Sequence, residues 1–240
     1  MIDWLMAPID STRPHDVGGL MSWHARSMVG AWAVLVPVGV LSARYLKVTP
    51  WQDWPNELDD RTWWNLHRGA QYAAGALMLL GLALVLAHPG PVASLTPQAW
   101  LHRSLGWVLL GLAASQYLSA WLRGSKGGPT APALDGSLRG DHFDMTPRRL
   151  IFEWVHKLGG TLAVLLAVAA ILSGLWQLNA PRWMWVVLAG WWGVLVVSVI
   201  LAERHLGAHD TYQAIWGPDP NLPGNRRKPI DWRTLRGQKR

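Results

Sequence analysis

The chain has 240 residues, of which half are hydrophobic, only 15% are charged and none is cysteine. That apolar share, gathered into long runs, is unlike an ordinary soluble domain. The missing thiols exclude disulfides, thiolate-held iron–sulfur clusters, covalently attached c-type haem and a cysteine nucleophile. A redox or metal site here must rest on His, Met, Asp, Glu or Tyr.

In chain order, the opening MIDWLMAPIDSTRPHD has no basic region ahead of an apolar core. It reads as a short exposed or interfacial arm, residues 1–22, and not as a secretory signal. Five runs then reach the roughly 20 apolar residues that let a helix cross a bilayer. They cover about 26–45, 67–87, 102–122, 154–176 and 183–203. The expected fold is an all-α membrane protein: a four-helix up-down transmembrane bundle plus a fifth transmembrane helix.

Between the runs, residues 46–64 carry Asp53, Glu57, Asp59 and Asp60 among tryptophans and read as an interfacial turn. Loop 88–101 ends in Thr96–Pro97, a helix-start signal. The connection 123–149 is rich in Gly and Pro, so regular structure is not expected across most of it. Thr146 and Pro147 near its end have the character of an N-cap and first helical residue. A connection this long is functional or a flexible spacer. The tail after Gly217 is Pro- and Arg-rich and is expected to be extended, giving a division into arm 1–22, membrane domain 23–205 and basic tail 206–240.

Of the 18 tryptophans, Trp23, Trp63, Trp64, Trp100, Trp121, Trp154, Trp176 and Trp183 fall near helix ends, where amphipathic rings anchor at headgroup level. The net charge of +7 also follows topology. Alternating the spans puts Arg13, Arg26, Arg103 and Arg182 on one face. Arg44, Lys47, Arg61, Arg68, Arg123, Lys126, Arg139, Arg148, Arg149, Lys157, Arg204 and the tail cations lie on the other. The positive-inside bias sets the N-terminus outside and the C-terminus in the cytoplasm, so the charge needs no nucleic acid to explain it. The expected location is a bacterial inner membrane.

Four of the nine histidines open consecutive runs: His24, His67, His102 and His156. Ionisable residues inside a membrane are costly and by default mark function. Because the helices alternate in direction, His24 and His102 enter from the outer face, and His67 and His156 from the cytoplasmic face. In an up-down bundle this gives two pairs across the axis, one near each surface. A histidine on each side of a planar cofactor is how a b-type haem is held without a covalent link. Gly106 lies four residues after His102, and Gly159 and Gly160 follow His156 by three and four. A macrocycle lying against a helix needs missing side chains near its ligand. Arg26 and Arg103 lie close in sequence to the outer pair and are candidates for holding a haem propionate or an anionic acceptor. His205 is the competing ligand, at the cytoplasmic end of the fifth run. His88 reads as a helix terminus, and His15, His142 and His209 as loop residues. Asp141, His142 and Asp144 form a weak alternative metal group.

The run WHARSMVGAWAVLVPVGVLSARYLK, with His24, Trp32, Pro37, Gly39 and Arg44–Tyr45, resembles the first core helix of the cytochrome b561 family, notably the form fused to DOMON domains. LHRGAQ around His67, LHRSLGW around His102 followed by Gln116, and FEWVHKLGG around His156 are also similar to that family. The resemblance covers about residues 20–205. It implies two b haems, one on His24 and His102 and the other on His67 and His156, and electron transfer across the membrane. Animal and plant members commonly have six spans and this chain has five. No DOMON domain precedes its first span, so their ascorbate substrate is not carried over.

The leading expectation is a dihaem cytochrome carrying electrons between a donor, with membrane quinol as one candidate, and an acceptor on the opposite side. The alternatives are a haem-bearing anchor subunit exchanging electrons with a docked redox partner protein, and a non-redox membrane protein whose histidines relay protons or pack.

Overall fold

The structure, a computed structural model, describes residues 1–88 and 96–228. Among these residues there are helices and no strands. A short α1 (Ile2–Met6) precedes five long helices: α2 (Gly19–Tyr45), α3 (Thr62–Leu86), α4 (Pro97–Trp121), α5 (Pro147–Gln177) and α6 (Arg182–His205). A final short α7 covers Thr211–Trp216. All of the long helices but α4 are apolar enough, by length and composition, to cross a membrane. Gln98, His102, Arg103, Ser115 and Gln116 make α4 more polar, yet it is as long as α3. Apolar side chains such as Leu79, Leu86, Leu165, Val187 and Val196 cover the outside of the bundle, as a lipid-facing surface requires. The chain is an all-α integral membrane protein.

The helix starts follow the sequence signals at two places. Thr96 accepts a hydrogen bond from the Ala99 N–H (3.2 Å) and Thr146 from that of Arg149 (3.5 Å), so each Thr-Pro pair does begin a helix. All four histidine-bearing helices nevertheless begin earlier than their apolar runs, by five to seven residues. The four histidines therefore sit roughly one and a half to two and a half turns inside their helices, and not at the entrances.

α2 contains a π-helical segment, Gly30–Leu35, immediately before Pro37. Proline has no N–H to donate and crowds the carbonyl four residues back, which is that of Ala33. The Trp191 indole N–H on α6 donates to the Ala33 oxygen instead (2.6 Å). A second tie between α2 and α6 is Glu203, which accepts from Arg44 (2.7 Å) and from the Tyr45 hydroxyl (2.9 Å).

The bundle is built from two antiparallel hairpins, α2–α3 and α4–α5, each closely packed along its length. Between the hairpins the backbones approach chiefly where the π-helical segment meets α5. There Ala31, Trp32, Ala33 and Val36 bury against Ala163, Ala167, Ala170 and Ile171, with Ala74, Met78 and Leu109 closing the layer. Small residues allow this approach, since in lipid close packing takes the place of the hydrophobic drive between helices. The layer forms a septum at mid-depth.

The two ends of the bundle differ. At one, the arm face, Asn179 adopts a left-handed φ of 48° and is almost wholly buried. Its side-chain amide donates to the Asp10 (2.8 Å) and Arg13 (2.6 Å) carbonyls and accepts from the Asp10 N–H (3.0 Å). The arm is thus fastened to the α5–α6 turn. At the other end, the loop face, segments 46–61, 122–146 and 206–228 interlock. Tyr212 donates to the Phe143 carbonyl (2.8 Å), the Asp59 N–H to that of Ala214 (3.1 Å), and Lys126 pairs with Asp59. Gly128 has φ 77° and lies so close to the Trp216 ring that a Cβ would not fit between them. The long connection is irregular, as its composition predicts. It is a packed cover and not a spacer, and the tail up to residue 228 folds back onto it; residues 229–240 lie outside the described chain. Trp23, Trp100, Trp121, Trp176 and Trp183 are exposed near helix ends as anchors, Trp154 is exposed about two turns inside α5, and Trp63 is buried, its ring 5.7 Å from that of Trp64.

Candidate functional site

The four helix histidines meet in two pairs. On the arm face His24 of α2 and His102 of α4 have ring centroids 6.5 Å apart at 87°. On the loop face His67 of α3 and His156 of α5 have centroids 6.1 Å apart at 77°. The pairing is that expected from alternating helix direction, and each pair spans the gap between hairpins.

Second partners orient three of the four rings. His24 Nδ1 lies 2.7 Å from the Gly81 carbonyl oxygen, His67 Nδ1 is 2.8 Å from that of Gly39, and His102 Nδ1 is 3.0 Å from that of Ala170. A carbonyl only accepts, so Nδ1 carries the proton in all three and Nε2 keeps its lone pair. Each bond joins the two helices of one hairpin, so the hairpin that supplies a ligand-type ring also fixes its tautomer. His156 differs: its Nδ1 is shielded from solvent and has no hydrogen-bond partner among the described residues. Phe152, one turn earlier on α5, lies against that ring instead, with centroids 5.1 Å apart and planes 28° apart.

Glycines make the close approaches possible, but they stand on the partner helix. A Cβ on Gly174 of α5 would lie 2.9 Å from His102 Cε1. One on Gly81 of α3 would lie 2.9 Å from the Met28 methyl, beside the carbonyl that His24 uses. A Cβ on Gly106 would meet nothing within 4 Å, which leaves open space next to His102. Gly159 and Gly160 face the Gln116 side chain of α4, at 2.6 and 3.4 Å from their ideal Cβ positions, so they admit a neighbouring side chain and not open space.

Cations and aromatics extend the loop-face pair. Trp64 lies 6.4 Å from His67 and carries Arg123 over its own ring at 4.4 Å. Phe152 likewise carries Arg149 at 4.8 Å. Arg149 and Lys157 both bond the buried Glu153, at 3.1 and 2.8 Å. Lys47 donates to the His209 carbonyl (3.0 Å), and burial pushes its amine down to about 8. On the arm face Arg26 is exposed and sits over Trp23 at 5.0 Å, and Arg103 is exposed.

The other sequence candidates separate from the pairs. His205 is exposed at the end of α6. Asp141 is engaged by Thr146 and Ser125, and Asp144 by Arg139 and the Gly140 N–H. Among the described residues no three His, Asp or Glu side chains converge as metal ligands. His142 is buried against Tyr212 and Trp216, and burial, with Arg149 next, lowers it to about 3.

A metal held by Nε2 of two opposed imidazoles at about 2 Å each places their ring centres roughly 6–6.5 Å apart. Both pairs match that spacing, their Nδ1 atoms point at backbone where they have partners, and Gly106 borders open space. The donor set therefore fits a planar metal macrocycle at each level. Fourteen residues separate His67 from Gly81 and His156 from Ala170, so the levels lie about 21 Å apart at 1.5 Å per residue. The buried septum with Trp32 stands between them.

The chain is thus an integral membrane helical bundle with two levels of paired histidines. The chain is 30% identical over 164 residues to a cytochrome b561, DM13 and DOMON domain-containing protein of Arabidopsis thaliana, covering 68% of this chain and 15% of that one. It is 31% identical over 201 residues to ferric-chelate reductase 1 of Bos taurus, covering 80% and 30%. It is 27% identical over 180 residues to a cytochrome b561 and DOMON domain-containing protein of Arabidopsis thaliana, covering 72% and 32%. The chain spans about a third or less of the length of these relatives. No family model matches, and no solved structure matches. The chain belongs to the cytochrome b561 family.

Proposed function

We propose that this protein is a dihaem b-type cytochrome that carries electrons across the membrane, with His24 and His102 as axial ligands at the arm face and His67 and His156 at the loop face. The observation that carries this reading is the pair of ring separations, 6.5 and 6.1 Å, at two depths of one bundle. The names of the relatives, cytochrome b561 and ferric-chelate reductase, support b haem and electron delivery. Each haem would supply a one-electron iron couple in an environment of low dielectric.

The chain's own residues do the rest. The Gly81, Gly39 and Ala170 carbonyls hold three imidazoles in the metal-binding tautomer. The septum around Trp32 excludes water between the levels, which leaves electrons and not ions as the species that cross. The cation-rich loop face lies in the cytoplasm under the positive-inside rule, with the arm face outside. The donor in this reading is a membrane quinol or another reductant, and the acceptor is a small molecule or a redox partner protein at the opposite face.

The test is transfer in proteoliposomes that enclose ferricyanide, with reductant added outside. Haem-loaded protein should discharge the trapped oxidant, and His67→Ala should abolish the discharge. Haems that reduce fully while the trapped oxidant stays unchanged contradict transmembrane transfer.

A further inference from the structure

We propose that the loop-face ends of α3 and α4 form a binding site for the phosphate headgroup of an anionic phospholipid, built from Arg61, Arg68, Arg123 and Arg148. The site depends on the chain being a membrane helical bundle and not on the haem reading.

Helical register lays down the first half. At about 100° per residue, Arg61, Arg68 and Tyr72 lie within about 40° of one another on α3, with Trp64 at the edge of the same face. Arg61, Arg68 and Tyr72 are exposed and Trp64 is half-buried. Contacts bring the other two arginines to this face. Arg123, just past the end of α4, lies over the Trp64 ring at 4.4 Å. Arg148, at the start of α5, donates to the carbonyl of Leu122, the residue next to Arg123 (2.7 Å). Tyr117 of α4 donates to the Gln71 carbonyl (2.6 Å) and stacks on Tyr72 with centroids 6.3 Å apart, so α4 is tied to α3 along this edge.

Charge complementarity names the occupant. Other loop-face cations have acidic partners: Lys126 has Asp59, Arg139 has Asp144, Arg44 has Glu203, and Arg149 and Lys157 share Glu153. Asp60, beside Arg61 in the chain, is taken by the Thr49 hydroxyl and the Thr62 N–H. Among the described residues none of the four arginines is ion-paired. A positive-inside excess sets how many cations lie on this face, but not that four gather unpaired beside aromatic rings. The planar guanidinium fork suits a phosphate diester, and Trp64 and Tyr72 mark headgroup level. From there the same face of α3 runs on into hydrocarbon as exposed Ala76 and Leu79, a track for an acyl chain that a free phosphate would leave uncovered. A lipid of the loop-face leaflet satisfies both ends, and basic pockets between helices on the cytoplasmic side are where anionic headgroups bind.

The test is native mass spectrometry of the purified chain titrated with dioleoylphosphatidylglycerol, with dioleoylphosphatidylcholine and inorganic phosphate as comparisons and haem content measured on the same samples. The wild type should bind phosphatidylglycerol more tightly than phosphatidylcholine, and excess phosphate should not displace it. A basic residue near an anionic lipid surface is worth about fivefold in affinity, so Arg68→Gln or Arg123→Gln should each weaken binding about fivefold and the double variant about 25-fold. Arg68→Lys keeps the charge and should stay within about twofold of the wild type. Arg139→Gln, which removes a loop-face charge away from this stripe, should change nothing. Equal affinity for the two lipids, displacement by phosphate, or a loss in Arg139→Gln equal to that in Arg68→Gln overturns the proposal. Loss of haem from Arg68→Gln or Arg123→Gln with lipid binding unchanged also overturns it, and gives these arginines to a haem carboxylate instead. Should the glutamine variants fail to fold, the wild-type comparison of the two lipids and phosphate decides alone.

Discussion

Gly174 has no obvious role in the sequence, yet the structure makes it the floor beneath His102. The ideal Cβ of an alanine there would lie 2.9 Å from Cε1 and 3.3 Å from Nδ1 of that ring, against an ordinary contact of at least 3.4 Å. In Gly174→Ala the ring must retreat by about half an ångström if the helix backbone holds. The Nδ1 bond to the Ala170 carbonyl, now 3.0 Å, then stretches to the edge of hydrogen bonding. Loss of such an outer partner costs about 10–100-fold in metal affinity, which is roughly 1.4–2.7 kcal/mol. The assay is haem dissociation into an excess of apomyoglobin. One of the two haems should leave about 10–100 times faster than in the wild type, and the other at an unchanged rate. Gly190→Ala on α6, where a Cβ meets nothing within 4 Å, serves as the control and should leave both rates alone. Wild-type rates in Gly174→Ala, or acceleration of the loop-face haem, refute the packing argument.

Further outcomes follow from the same geometry. Phe152→Ala should loosen the loop-face haem and leave the arm-face haem in place, whereas Phe152→Trp should restore it; pyridine haemochrome counts check this. Trp191→Phe removes the donor to the Ala33 carbonyl and should lower stability by about 1–3 kcal/mol, measured as thermal unfolding with haem content unchanged. His142 is held neutral in the folded chain, at about 3, while an unfolded histidine titrates near 6.5. The unfolded chain therefore binds the extra proton between those values, and the stabilisation, complete above pH 6.5, declines as pH falls toward 3. Between pH 6.5 and 5 the wild type should lose about 2 kcal/mol more than His142→Phe, at about 1.4 kcal/mol per pH unit; unfolding midpoints of the two across that range test it.

The broad plan was legible in the residues because hydrocarbon imposes a simple rule. Each crossing must be a long apolar helix, so any histidine at matched depth stands out, and alternating direction sorts His24 with His102 and His67 with His156. The finer contacts were not legible because they join residues far apart in the chain. Glycines were sought on the ligand's own helix, at Gly106, Gly159 and Gly160, but the tight contacts with His102 and beside His24 come from Gly174 and Gly81 on the neighbouring helix. Pro37 gave a signal that was readable in principle: a proline inside an apolar span frees a carbonyl and needs a donor, here Trp191. Helix starts were placed too late because the first turns of α2, α3, α4 and α5 are polar enough to look like loop. The cover on the loop face depends on Gly128 against Trp216 and Tyr212 on Phe143, contacts between segments that hydropathy reads only as irregular.

Haem stoichiometry across the histidine variants bears most directly on the whole account. Pyridine haemochrome analysis of the purified chain should give two b haems. It should give one after His24→Ala or His102→Ala, one after His67→Ala or His156→Ala, none after a substitution in each pair, and two after His205→Ala. A wild type with fewer than two haems, or a loss on His205→Ala equal to that on His156→Ala, contradicts it.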